Sequence, residues 1–162
     1  MQLLDDGKCT HLLIKWSKPY TLEEIRSKKA DCSCTCFYKI IGVYGHRFKL
    51  FYIGKCIRQY LTTRIFQPDH LAKQASFTQA HKRHKLLVSL GDVEDFEEYS
   101  DTELDNIERL LIYSHSNEDF SYIKNKQCTL SHRVIRNYHI INSGWRKEGM
   151  YKSIGYGLFY KN

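Results

Sequence analysis

Two runs of strand-forming residues, separated by a glycine-bearing reversal, limit what this chain can fold into. They are Cys36-Phe37-Tyr38-Lys39-Ile40-Ile41-Gly42 and Leu50-Phe51-Tyr52-Ile53-Gly54-Lys55. Aromatic and β-branched residues of this kind suit a pleated, half-buried surface. Between the runs, Gly42 and Gly45 bracket Val43-Tyr44, and glycine reaches the positive φ that a tight reversal needs. The pattern predicts a β-hairpin with tyrosines on both arms. Residues that face each other in a hairpin lie equally far from its turn. Pairing Tyr44 with Tyr52 would centre the turn on Phe48, a poor turn residue, whereas pairing Tyr38 with Tyr52 centres it on Gly45. Tyr38 and Tyr52 are therefore expected to face each other, with Gly42-Val43-Tyr44-Gly45 as turn and loop.

A length of 162 residues suits one domain, 1–162. No apolar run reaches the length of a membrane-spanning helix. Met1-Gln2-Leu3-Leu4-Asp5-Asp6 lacks the basic-then-apolar order of a secretory signal. The expected compartment is the cytoplasm. A net charge of +7, with eight histidines in reserve, points to a polyanionic partner such as nucleic acid. Cys32, Cys34 and Cys36 alternate, so on a strand they share a face that could bind a soft metal. Zinc sites usually show two C-x2-4-C pairs, and Cys9, Cys56 and Cys128 are scattered. Free thiols are the favoured reading, and a structural metal the lesser one. The chain carries no phosphate-binding glycine loop and no G-x-S-x-G elbow.

Taken in order, Leu12–Trp16 reads as a strand or apolar arm that ends before Pro19. Thr21 and Glu24 form a capping box for a short surface helix through Lys28. Ile57, Leu61 and Ile65 recur at helical spacing, predicting a helix over Cys56–Phe66 that Pro68 stops. A second helix is expected between Leu71 and Lys85. It carries Lys73 and a dense basic run in which Lys82, Arg83 and Lys85 are candidates for phosphate contact. Lys85–Leu90 reads as a strand. The acidic stretch Asp92–Asp101 should be exposed and point away from any polyanion. Asp101–Tyr113 is the clearest helix, capped by Ser100 or Asp101, with Leu104, Ile107, Leu110 and Leu111 as its apolar stripe. Glu108 sits at the border of that stripe, where a carboxylate needs a partner. Val134–Ile141 reads as a strand, Asn142-Ser143-Gly144 as a turn and Ile154–Phe159 as a closing strand. Arg133, Arg136, Arg146 and Lys147, interleaved with Tyr138, Trp145 and Tyr151, suit contact with nucleic acid.

Tyr52-Ile53-Gly54-Lys55, with Cys36-Phe37-Tyr38 in the opposite arm, resembles the paired motif strands of the GIY-YIG nucleases. Gly42-Val43-Tyr44 is the literal-letter alternative for the first motif. Leu61-Thr62-Thr63-Arg64 is similar to the family's L-x-x-R helix, with Arg58 as a weaker alternative. The His or Tyr that often follows that arginine by four residues falls at Pro68 here, and His70 stands in for it. Glu108-Arg109-Leu110-Leu111-Ile112 resembles the family's E-x-x-L-I helix, and Asn117 takes the place of its asparagine. The likeness covers residues 36–117, and Ile141-Asn142-Ser143-Gly144 extends it weakly into the tail.

The resemblance implies an α+β fold. Its centre would be an antiparallel three-stranded sheet flanked by helices, with extra C-terminal strands. Residues 1–35 would form an N-terminal arm and short helix, 36–117 the core and 118–162 a basic extension. It also implies a metal-dependent endonuclease that hydrolyses DNA phosphodiester bonds, of restriction, mobile-element or repair type. One Mg²⁺ or Mn²⁺ would bind Glu108, and Arg64 would brace the phosphate. Tyr38 or Tyr52 would orient or deprotonate the water, with Lys55 and Arg64 lowering the phenol's pKa. His70 and Asn117 would complete the site. Duplex DNA is the implied partner, and a double-strand break would require a homodimer or sequential nicking. The alternatives are a catalytically inactive nucleic-acid-binding module on the same fold and, less favoured, a thiol-metal regulator. Convergence of Tyr38, Tyr52, Arg64 and Glu108 on one cleft separates nuclease from silent binder.

Overall fold

A computed structural model describes residues 9–27, 33–116, 138–155 and 158–160, giving backbone alone for 33–36, 58 and 158–160. The chain runs β1 (Thr10–Trp16), β2 (Tyr20–Thr21), α1 (Leu22–Ser27), β3 (Ser33–Tyr44), β4 (Arg47–Tyr60), α2 (Leu61–Ile65) and α3 (Pro68–Ala80). It continues through β5 (Lys85–Val93), a 3-10 turn at Phe96–Glu98, α4 (Asp101–Ser114), β6 (Tyr138–Gly144), β7 (Ser153–Gly155) and β8 (Leu158–Tyr160). The fold is α+β. Among the described residues no helix is long and apolar enough to cross a membrane.

The sheet departs from the expected three strands. Its order is β4-β3-β5-β1-β6-β7-β8, with β2 also pairing with β5. The antiparallel trio β4-β3-β5 is one end of a larger, mixed sheet, because β1 pairs in parallel with β6 from Thr10↔Tyr138 to Trp16↔Gly144. Alternation in β1 buries Leu12, Ile14 and Trp16. With β5 on one edge of β1 and β6 on the other, its backbone groups are paired on both sides. The stretch Asn142-Ser143-Gly144, expected to turn, instead continues the ladder with β1. The expected closing strand is a short hairpin, β7 with β8.

Two apolar clusters lie on opposite faces. One joins Leu12, Ile14, Trp16, Phe37, Leu50 and Ile53 to the stripe of α4. The other joins Tyr38, Ile40, Phe51 and Tyr52 to Ile25 of α1, Leu61 and Ile65 of α2 and Phe77 of α3. The capping box predicted at Thr21/Glu24 forms, and of the two candidate caps for α4 it is Ser100 that serves, in a second box with Glu103.

The hairpin is tighter and longer than its sequence suggests. Tyr44 pairs with Arg47 around Gly45-His46, so Gly42-Val43-Tyr44 is strand rather than loop. From there Ile41 faces Leu50, but Ile40 faces Tyr52. The extra residue, Phe51, makes a β-bulge. It places Phe51 and Tyr52, neighbours in sequence, in the same cluster. Without it Tyr52 would face Lys39 and point to the other side of the sheet. The helix expected over Cys56–Phe66 begins only at Leu61, because Cys56, Gln59 and Tyr60 still pair with Cys36, Cys34 and Ser33. Long-range pairing overrides the helical spacing there. Pro68, expected as a stop, opens α3 in its first turn, where its missing N–H is harmless.

Candidate active site

The bulge at Phe51 brings Tyr52 beside Tyr38, with ring centroids 6.0 Å apart. They lie diagonally rather than face to face, since Tyr38 pairs with Gly54 and Tyr52 with Ile40. His70, in the first turn of α3, packs against both rings at 6.0 and 5.9 Å and is fully buried. The Tyr38 hydroxyl is 3.3 Å from its Nδ1. One turn further, Lys73 donates to the Tyr52 hydroxyl at 3.5 Å and lies 4.9 Å from the centre of that ring.

Arg64 reaches this cluster from α2. Its Nη1 donates to Gln67 Oε1 at 2.7 Å, and among the described residues its buried Nε has no hydrogen-bond partner. Glu108 comes from α4, on the opposite side of the sheet. It approaches at β4, an edge strand of the sheet, beside Lys55. The Lys55 ammonium pairs with Asp105 and lies 3.8 Å from Glu108. Asp105 and Glu108, three apart on α4, share a helix face.

The charges are coupled. Burial pushes the Tyr38 phenol far above its ordinary range, and Tyr52 and Glu108 push the same way against the pull of Arg64. Tyr38 is therefore a neutral phenol at neutral pH. The expectation that Lys55 and Arg64 would lower it fails because desolvation dominates and Lys55 is committed to the carboxylates. Burial raises Glu108 too, against Lys55, Arg64 and Arg109. His70 is lowered to about 4 by burial and by the nearby cations Lys73 and Arg64, with Asp69 opposing. It is neutral at neutral pH and keeps one nitrogen as an acceptor.

Tyr38, Tyr52, His70 and Lys73 thus come together on one face of the sheet, while Lys55 and Glu108 meet each other at β4 from the α4 side, with Arg64 and Glu108 near enough to bias the Tyr38 phenol. Tyr44 lies apart: it is half-exposed at the hairpin tip, 5.9 Å from His84. Asn117, Arg133 and Arg136 lie outside the described residues, as do Cys32 and Cys128. Lys82, Arg83 and Lys85 are exposed where α3 turns into β5. Phe51 stacks on His81 at 4.6 Å, so this basic corner lies about 16 Å along α3 from His70. Lys147 is exposed. Arg146 is held inside, its Nη1 donating to the Met150 carbonyl at 3.1 Å. The acidic stretch Asp92–Asp101 exposes each of its carboxylates. Cys56 is a buried thiol that donates to the Gln59 carbonyl at 3.1 Å, and Cys9 is exposed.

Sequence reasoning missed Asp105 and Lys73. The signal for both was local: Asp105 precedes Glu108 by three residues and Lys73 follows His70 by three. Among the described residues no group of three His, Cys, Asp or Glu side chains is placed to hold a metal. The carboxylates nearby are Asp69, 3.6 Å from His70, and Glu108 with Asp105 beside it at Lys55. No family model, curated protein or solved structure matches the chain.

Proposed function

We propose that the chain is a metal-dependent endonuclease of the GIY-YIG type, acting on DNA phosphodiester bonds. The observation that carries this reading is that Tyr38 packs against Tyr52 and His70, with Lys73 on the Tyr52 hydroxyl. The charges of Arg64 on α2 and Glu108 on α4 bear on the Tyr38 phenol, which supports the reading.

Glu108 suits a hard divalent cation, since burial disfavours its charge and a cation would relieve that cost. It would hold Mg²⁺ or Mn²⁺, with Asp105 as the nearest second carboxylate and water and phosphate oxygens completing the shell. Such a cation supplies charge neutralisation at the scissile phosphate and the leaving oxygen. Arg64, with its Nε unpartnered, can fork onto a phosphate. Tyr38 would donate a hydrogen bond to neutral His70, leaving the phenol's lone pairs to orient an attacking water. Lys73 fixes the Tyr52 hydroxyl in the same way. The exposed Lys82, Arg83 and Lys85 would track the duplex backbone beyond the site.

One observation favours the second reading, a binding module without catalysis. Lys55 already pairs with Asp105 and lies 3.8 Å from Glu108, offsetting one of the two carboxylate charges as an internal cation would in a silent site. Plasmid cleavage with Mg²⁺ or Mn²⁺, wild type beside Glu108→Ala, decides. The nuclease reading expects cleavage by wild type that disappears in the variant and in EDTA. No cleavage, with salt-sensitive duplex binding retained, transfers the assignment to the binding module. Equal cleavage by both proteins would refute the placement of the site.

A further inference from the structure

We infer that His11 and His139 form a second metal site, for a borderline transition-metal ion such as Zn²⁺, on the sheet surface between β1 and β6. The two residues are register partners across the parallel pair. Their Nδ1 atoms lie 3.1 Å apart and their rings meet edge to face at 5.2 Å and 87°. His11 is exposed and His139 half-buried, so an ion can enter from solvent.

The separation suits chelation. Nitrogens 3.1 Å apart, each bound at about 2.0–2.1 Å, subtend roughly 100° at the ion, close to the tetrahedral angle Zn²⁺ prefers. A second feature points the same way. His139 Nε2 is 2.7 Å from Ser153 Oγ on β7. When that Nε2–H donates to the serine, His139 presents a bare Nδ1 toward His11. Metal-binding histidines are oriented by this kind of hydrogen bond on the far nitrogen. Without metal, His11 Nδ1–H fills the gap as a hydrogen-bond donor. With metal, that proton moves to Nε2 or to solvent, and both Nδ1 lone pairs bind the ion. Imidazole pairs select Zn²⁺, Ni²⁺ or Cu²⁺ over Mg²⁺, so this site is chemically distinct from the carboxylates at Glu108. Water would complete its coordination.

Binding here ties β1 to a strand 128 residues further along the chain, and an ion that binds only the folded pairing raises its stability. The test titrates the full chain with Zn²⁺ and compares wild type, His11→Gln, His139→Gln and Cys9→Ser. Calorimetry should find one more equivalent in wild type and Cys9→Ser than in either histidine variant. The melting temperature should rise with Zn²⁺ only where both histidines remain. In wild type, the ring ¹⁵N resonances of His11 and His139 should move together at Nδ1. The same stoichiometry in all four proteins, or loss of the extra equivalent in Cys9→Ser, overturns the site. Unmoved Nδ1 resonances in wild type overturn it even if a histidine variant fails to fold.

Discussion

The phenol ring of Tyr38 lies over the bare α-carbon of Gly54, its register partner across β3 and β4. A methyl group at Gly54 would stand 2.6 Å from the phenol Cζ and oxygen and 2.8 Å from Tyr52 Cε1. The glycine therefore supplies room: two tyrosines from adjacent strands can converge only because the position between them has no side chain.

Gly54→Ala is expected to damage the site more than the fold. Overpacking of this kind costs about 1–3 kcal/mol, and the displaced Tyr38 would lose its alignment with His70. Gly45→Ala is the contrasting variant. Gly45 has φ +58° and open space around it, so alanine there costs about 1 kcal/mol of backbone strain and leaves the rings alone. Urea unfolding should show both losses, while plasmid cleavage should fall at least about tenfold in Gly54→Ala only, a drop of about 1.4 kcal/mol in transition-state stabilisation. Equal cleavage by the two variants would contradict the steric account.

Lys39 gives a different kind of prediction. It is fully buried on β3, paired with Glu148, 3.0 Å from the Trp145 carbonyl and 4.4 Å from the Trp16 ring centre. Burial lowers its amine to about 8 against the pull of Glu148, and burial raises Glu148. Breaking such a pair strands the remaining charge, so Lys39→Met should cost about 3–5 kcal/mol. Adding Glu148→Leu should recover most of it, because an apolar pair needs no solvation. A double-mutant cycle in urea checks this, and simple additivity would show that the two groups do not act as a pair.

Acid should destabilise the fold through two buried histidines. His115 is fully buried, its Nδ1–H donating to the Leu111 carbonyl and its Nε2 accepting from the Tyr151 amide. Burial lowers it to about 3, and His70 to about 4. The unfolded chain takes up protons near 6.5, where the folded state does not. The stabilisation is complete above pH 6.5 and shrinks as pH falls toward 4, by up to about 1.4 kcal/mol per pH unit for each histidine. Urea midpoints at pH 7, 6 and 5 should trace this decline, with a shallower slope in His115→Gln. An unchanged slope in that variant would remove His115 from the account.

The sequence carried the tyrosine pair through an argument that was incomplete. Centring the turn near Gly45 was sound, but an unbroken ladder from Gly45-His46 would have sent Tyr52 to the opposite face. Phe51 corrects the parity, and no local pattern announces a bulge at a phenylalanine. The helix of Glu108 was legible because its stripe and cap are local. The start of α2 was not, since Ile57, Leu61 and Ile65 fit a helix equally well and only pairing with Ser33 and Cys34 decides otherwise. The β1–β6 pairing and the Lys39–Glu148 contact join residues more than 100 positions apart, beyond the reach of any local periodicity.

The place of β1 between β5 and β6 also orders events on the ribosome. The β3–β4 hairpin can close as soon as its two-residue turn emerges, whereas His11 must wait for a partner 128 residues later. At typical elongation rates that interval is roughly 6–26 s. Through it Leu12, Ile14 and Trp16 sit on a strand with at least one open flank, the geometry that recruits other chains. A strand made late thus closes one made early, and residues 10–16 wait long for their second neighbour.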